Sequence, residues 1–106
     1  MSTTISSYSA IRQAIIERQQ IACSYNGYHR VCCPHAIGYT NGVPRVLVYQ
    51  FGGDSSRGLP IGGEWRCMDI PLMTQIRVSP GPWHTGVGHS RSQTCVKQVD
   101  IDITTT

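Results

Sequence analysis

Lysine is nearly absent from this chain: Lys97 stands alone beside eight arginines. Lysine is the ordinary solubilising cation, whereas arginine carries a planar fork that matches carboxylates and phosphates, so the bias leans toward an anionic partner. Charge of either sign is scarce, at 14% of residues against a usual value of about 25%. Much of the surface must therefore be Ser, Thr, Gln, Asn and Gly. The six acids are scattered singly, which argues against a paired-carboxylate site. Two of them, Asp100 and Asp102, sit in the tail, so positions 1–95 carry eight arginines against four acids.

Long apolar runs are also missing. No stretch approaches the roughly 18 apolar residues of a membrane helix. The opening MSTTISSYSA lacks the basic region and apolar run of a secretory signal. Five cysteines without such a signal read as reduced, mostly buried thiols in a cytoplasmic protein. Their spacing speaks against zinc: Cys33-Pro34-His35 is one poor half-pair, and Cys32, Cys67 and Cys95 supply no second pair. No Gly-x-Ser-x-Gly elbow is present. The glycines between positions 52 and 63 lead to Glu64 and a strand, not to the Lys-Ser/Thr and helix of a P-loop. No catalytic residue, metal ligand or cofactor is nominated, and the chain reads as non-enzymatic.

What is present suits one folded domain, with 106 residues and 40% hydrophobic composition. Tyr8, Ile11, Ala14 and Ile15 recur at helical spacing, predicting a leading helix over 7–20 capped by Ser6 or Ser7. It is too short to stand alone in water and must pack on something. Ile21 to Tyr25 alternates as a strand, and Asn26-Gly27 then marks a tight hairpin. The return strand, Tyr28 to Cys33, is expected to stop at Pro34, which cannot donate to a ladder. Ala36–Tyr39 resumes an extended path, Asn41-Gly42 turns again, and Val46–Phe51 is the most apolar strand. Positions 52–63 read as a loop, Glu64–Ile70 and Gln75–Val78 as strands, and 80–91 as irregular. Val99, Ile101 and Ile103 alternate in an edge strand or arm, whose aspartates discourage open-ended pairing. The residues thus point to a mainly β fold with one N-terminal helix and five or six strands, as a small, strongly bent sheet or partly open barrel.

The order of these segments resembles the WYL domain. The likeness runs over roughly residues 10–78: the helix IRQAIIERQQI, the strand ending in Tyr25, Arg30-Val31, Pro34-His35-Ala36-Ile37-Gly38-Tyr39, then Arg45-Val46-Leu47-Val48-Tyr49. It continues through Trp65-Arg66-Cys67-Met68-Asp69-Ile70. The resemblance implies an Sm-like small β-barrel behind a leading helix, filling 1–106 as a single domain with barrel strands over 21–79 and a C-terminal loop and edge strand over 80–106. It also implies a role in bacterial regulation or phage defence, sensing nucleic acid or nucleotide-like ligands and helping oligomers assemble. Only Leu47 matches in the name-giving position, and Asp69 and Leu72 stand where arginines are usual, while Arg66 matches.

Basic and aromatic residues interleave along these strands, as in surfaces that stack bases and hold phosphates. The candidate ligand residues are Tyr25, Arg30, His35, Arg45 and Arg66, with Arg30 expected to face outward if Val31 faces the core. Single-stranded nucleic acid or a nucleotide is the expected partner. Trp83, Val99 and Ile101 are candidates for an interface in a homo-oligomer, Trp83 serving either to anchor its loop or to meet a second chain.

Overall fold

A computed structural model of the chain describes residues 6–53, 63–86 and 94–105. Most of the loop expected over 52–63, together with His89 and Arg91, lies outside the described residues.

Helix α1 spans Ser7–Glu17 and buries Ile11, Ala14 and Ile15. Ser6 caps it, its Oγ accepting from the Ser9 N–H at 3.1 Å. The spacing predicts a helix reaching Gln20, but Arg18 ends it earlier. Arg18 adopts the left-handed conformation (φ 55°), and the Gln19 N–H turns back to the Ala14 carbonyl at 2.8 Å. The Arg18 guanidinium donates to the carbonyls of Ile15 and Ile103, which ties the helix end to the chain's C-terminal turn.

Six strands follow: β1 (Gln20–Tyr25), β2 (Tyr28–Thr40), β3 (Val43–Gly53), β4 (Glu64–Asp69), β5 (Thr74–Ser79) and β6 (Gln98–Asp102). All pairs are antiparallel. Strand order is β4-β3-β2-β1-β5, with β6 added on β2. Both Asn-Gly turns hold positive φ at their two central residues, 54° and 80° at Asn26-Gly27 and 51° and 81° at Asn41-Gly42. That is the type I′ geometry the dipeptide favours. A short 3-10 helix, Ile70–Leu72, links β4 to β5, and Pro71 sits in its first turn without losing a bond.

Strand β2 does not stop at Pro34, contrary to expectation. It runs through the proline as a strand of 13 residues. The reason lies on its other edge. β1 pairs with β2 only as far as Cys32, and β6 begins at Ala36. Pro34 therefore sits in the gap between two successive neighbours, and its missing N–H costs no ladder bond there. A register shift between Pro34 and Ala36 on the β3 side bends the strand at the same place.

The sheet is strongly bent yet open. Tyr25, on β1, reaches the backbone of Asp69, on β4, although two strands lie between them in the sheet. Among the described residues β4 pairs only with β3 and β5 only with β1, so the closed barrel is not formed. Alternation gives the central strands two buried faces. On the inner face, Ile11, Ala14 and Ile15 of α1 cover Ile21, Cys23, Cys32, Val46, Val48 and Met68. Fully burying an isoleucine contributes roughly 1.5–3 kcal/mol, enough to hold a short helix on this sheet.

The outer face carries a smaller cluster of Ala36, Leu47, Cys95 and Val96, with Trp65 against it. Here the cysteine expectation is corrected. Cys67 and Cys95 are joined in a disulfide, with Cα atoms 5.5 Å apart, while Cys23, Cys32 and Cys33 remain free and buried. The register explains the meeting: Cys67 lies opposite Leu47, on the outer face of β4, where the segment entering β6 crosses. Among the described residues no helix is long and apolar enough to cross a membrane.

Candidate anion-binding site

The five residues nominated for ligand binding divide between the two faces of the sheet. Tyr25, Arg30 and Arg66 belong to the inner face, with Tyr25 packed against the helix core. Arg45 and His35 belong to the outer face.

Arg30 is the clearest correction. Rather than facing outward, it keeps 5% of its surface exposed. Its partner across β1 is the buried Cys23, and its neighbour two positions on is the buried Cys32, so alternation sets all three on the core side. The half-buried Val31 takes the other face. The Arg30 guanidinium donates to the Tyr25 carbonyl from Nε and Nη2, both at 3.3 Å, and to Gln50 Oε1 from Nη1 at 3.3 Å. It also lies 5.5 Å from the Tyr25 ring centre and 5.8 Å from that of Tyr28. Among the described residues, hydrogen bonds and rings thus hold this cation and no carboxylate does. The ion pairs among the described residues are Arg12–Asp100, Arg45–Asp69 and Arg66–Glu64. Burying a charge is costly unless it is paired and hydrogen-bonded, and here the Tyr25 carbonyl and Gln50 supply the acceptors.

Arg66 approaches the same place from β4. It pairs with Val48 across the ladder, and so shares the inner face with Gln50 and Glu64. Its Nη2 lies 2.8 Å from Glu64 Oε2, an ion-pair distance, but off the direction a hydrogen bond requires. Nε and Nη2 are both buried and have no hydrogen-bond partner. The fields of the two arginines overlap at Cys32. Burial pushes that thiol well up, and Arg30 and Arg66 both pull it back down. Cys23, opposite Arg30, is pushed up to about 11 by burial, with Arg30 opposing.

Gln50 completes the cluster and was not foreseen. It is fully buried, accepts from Arg30, and donates from Nε2 to the Gly52 carbonyl at 3.0 Å. The sequence did hold a signal for it: Val46, Val48 and Gln50 share one parity in the most apolar strand, so a polar amide stands in a core register. Such a residue is retained where a partner must be oriented.

On the outer face His35 is buried. Its Nδ1 lies 2.8 Å from the Cys33 carbonyl, to which it donates, and its Nε2 shares a hydrogen bond with the Thr85 hydroxyl at 3.0 Å. The ring packs edge-on to Trp65 at 4.7 Å and against Trp83 at 4.9 Å. Trp83 thus anchors its own loop. The rest of that strap is held by Gln20 donating to the Pro82 carbonyl and by His84 stacked on Phe51 at 3.9 Å. Arg45 is engaged by Asp69 at 2.8 Å, and lies on the opposite face from Arg66. Of the interface candidates, Val99 is exposed on β6, while Ile101 packs against the inner core.

Among the described residues no group of three or more His, Cys, Asp or Glu is placed to hold a metal ion. No protein-family model, curated protein or solved structure matches this chain.

Proposed function

We propose that the chain is a non-enzymatic, WYL-like sensing or binding module for nucleic acid or a nucleotide-derived anionic ligand, acting in cytoplasmic regulation or phage defence. One observation carries the reading: among the described residues two guanidiniums share the inner face of the sheet, Arg30 without a carboxylate and Arg66 with buried N–H groups that lack a hydrogen-bond acceptor. A phosphate oxygen satisfies both deficits at once, because it accepts from the Arg66 fork and neutralises the field of Arg30. Glu64 is the group it displaces from Nη2. Tyr28, exposed at the rim beside Arg30, offers a ring face for a base. The fold supports the same reading. A helix leads into a bent antiparallel sheet whose fifth strand returns beside the first.

The test is fluorescence anisotropy of a labelled single-stranded oligonucleotide, of DNA and of RNA, at low and moderate salt. Removing charge-assisted hydrogen bonds worth about 1.5–3 kcal/mol, the Arg66→Ala variant binds roughly 10- to 100-fold more weakly with its circular dichroism unchanged. Unaltered binding by a folded Arg66→Ala protein, or none by the parent at low salt, rejects the proposal.

A second reading, assembly of like chains, rests on different residues. Leu72, Val78 and Val99 are exposed, and β4 and β5 each have one unpaired edge among the described residues. Light scattering after sizing decides it: an oligomer that falls to monomer in Val78→Lys or Val99→Lys supports assembly, and a monomeric parent excludes it.

A further inference from the structure

The five cysteines are sorted by depth. Cys23, Cys32 and Cys33 are free and buried, and burial raises all three thiols, which keeps them protonated and unreactive. Cys67 is exposed, and Cys95, to which it is bonded, is buried beneath it. The bond ties β4 to the segment that enters β6, 28 positions further on. Apart from it, the arm is held by the buried Val96, by Ile101 and Ile103 packed against the inner core, and by Arg18 donating to the Ile103 carbonyl. β6 shares four residue pairs with β2, from Ala36–Asp102 to Tyr39–Gln98. Thr40 Oγ1 donates to the Cys95 carbonyl and accepts from the Lys97 N–H, and Asp100 accepts from Tyr8 and Arg12. Gln98, Val99 and Asp100 are exposed. The buried sulfur is also provided for when reduced, since Cys95 Sγ lies 3.6 Å from the Val46 carbonyl, an acceptor in place for a thiol.

We propose that the Cys67–Cys95 disulfide is a redox clamp on the C-terminal arm, opened by a dithiol reductant at Cys67 and releasing residues 94–105 from the edge of β2. The reductant's thiolate attacks Sγ of Cys67, the exposed residue of the pair. A mixed disulfide forms there as the Cys67–Cys95 bond breaks, and Cys95 leaves as a thiolate that takes up a proton. The reductant's second thiol then displaces Cys67, so the protein gains two thiols and the reductant becomes a cyclic disulfide. Release uncovers the backbone edge from Ala36 to Tyr39 and frees Tyr8 and Arg12 from Asp100. In a reducing compartment, a disulfide of this kind is regulatory rather than a permanent staple. The inference does not depend on which ligand the inner face takes.

The test treats the full chain with dithiothreitol in native buffer, alkylates it, and follows hydrogen exchange by mass spectrometry. Cys67 and Cys95 become alkylated while Cys23, Cys32 and Cys33 stay protected. Exchange over 36–40 and 94–103 rises about tenfold or more, and that of 21–25 and 46–50 does not change. The Cys67→Ser/Cys95→Ser double variant shows the same pattern without reductant. Three results overturn the clamp: a bond that resists the dithiol until denaturant is added, exchange that does not respond to reduction, or exchange that rises throughout the chain together.

Discussion

The Tyr25 hydroxyl accepts a hydrogen bond from the backbone N–H of Asp69 at 3.0 Å, joining β1 to β4 across the inside of the sheet. No ladder connects these strands, so this bond and the packing around it keep the two ends of the bend together. The Asp69 side chain is meanwhile turned to Arg45. One residue thus fixes β4 to an interior strand through its backbone and to β3 through its carboxylate.

Tyr25→Phe leaves that N–H without a partner while keeping the ring. The expected cost is about 1–3 kcal/mol, as for a partly buried donor left unbonded. Chemical denaturation reads the loss, and hydrogen exchange shows β4 loosened more than β1–β2. Equal stability of the two proteins means that water or a shifted side chain replaces the hydroxyl.

Gly38→Ala tests how closely the arm is seated. A Cβ at Gly38 meets the Gln98 carbonyl oxygen and lies 2.7 Å from Val96 Cγ1. The strand β6 must move away, at a cost of about 1–3 kcal/mol for overpacking. The β1–β2–β3 meander keeps its exchange protection while that of 98–102 is lost. An unchanged arm shows that β6 slides along β2 without penalty.

Acid reaches the arm through Asp100. The hydrogen bond from Tyr8, reinforced by Arg12, holds its carboxyl below the usual carboxylate range despite some opposing desolvation. A depressed folded value means that the stabilisation is complete above the unfolded pKa of about 3.9 and fades as pH falls through the folded value. Arm protection should therefore be constant from neutral pH to about pH 4 and decline only below that. Carbon-detected NMR titration of Asp100 checks this directly, and Tyr8→Phe should move its midpoint upward. A midpoint at the ordinary carboxylate value removes Asp100 as the arm's anchor.

Features written in short stretches were legible without coordinates. An Asn-Gly pair fixes its own φ angles, and Ser6 caps a helix that begins one residue later, so the turns and the helix start followed from local chemistry. Pro34 misled because a proline interrupts a ladder only where a neighbour needs its N–H, and the neighbours of β2 come from residues 20–25 and 98–102. Arg30 misled because the parity of β2 is set by Ile21 and Cys23 across the hairpin, not by Val31 beside it. The disulfide left no trace at all in spacing, since Cys67 and Cys95 meet only after β4 and the arm have both been placed. The candidate site inherited these errors. Arg66 was legible as a candidate, Gln50 was overlooked in an apolar run, and His35 and Arg45 proved to belong to another face.

The change of neighbour at Pro34 also orders the chain in time. β1, β2 and β3 are joined by two-residue turns, so their pairing closes small loops at small entropic cost. β6 must instead find a stretch of β2 more than 55 positions earlier in the chain. On a growing chain the hairpins can form long before residues 98–102 have been synthesised, and for that interval the second half of β2 has only one neighbour. Gly38, with no side chain, leaves room for the Gln98 carbonyl when the last strand arrives.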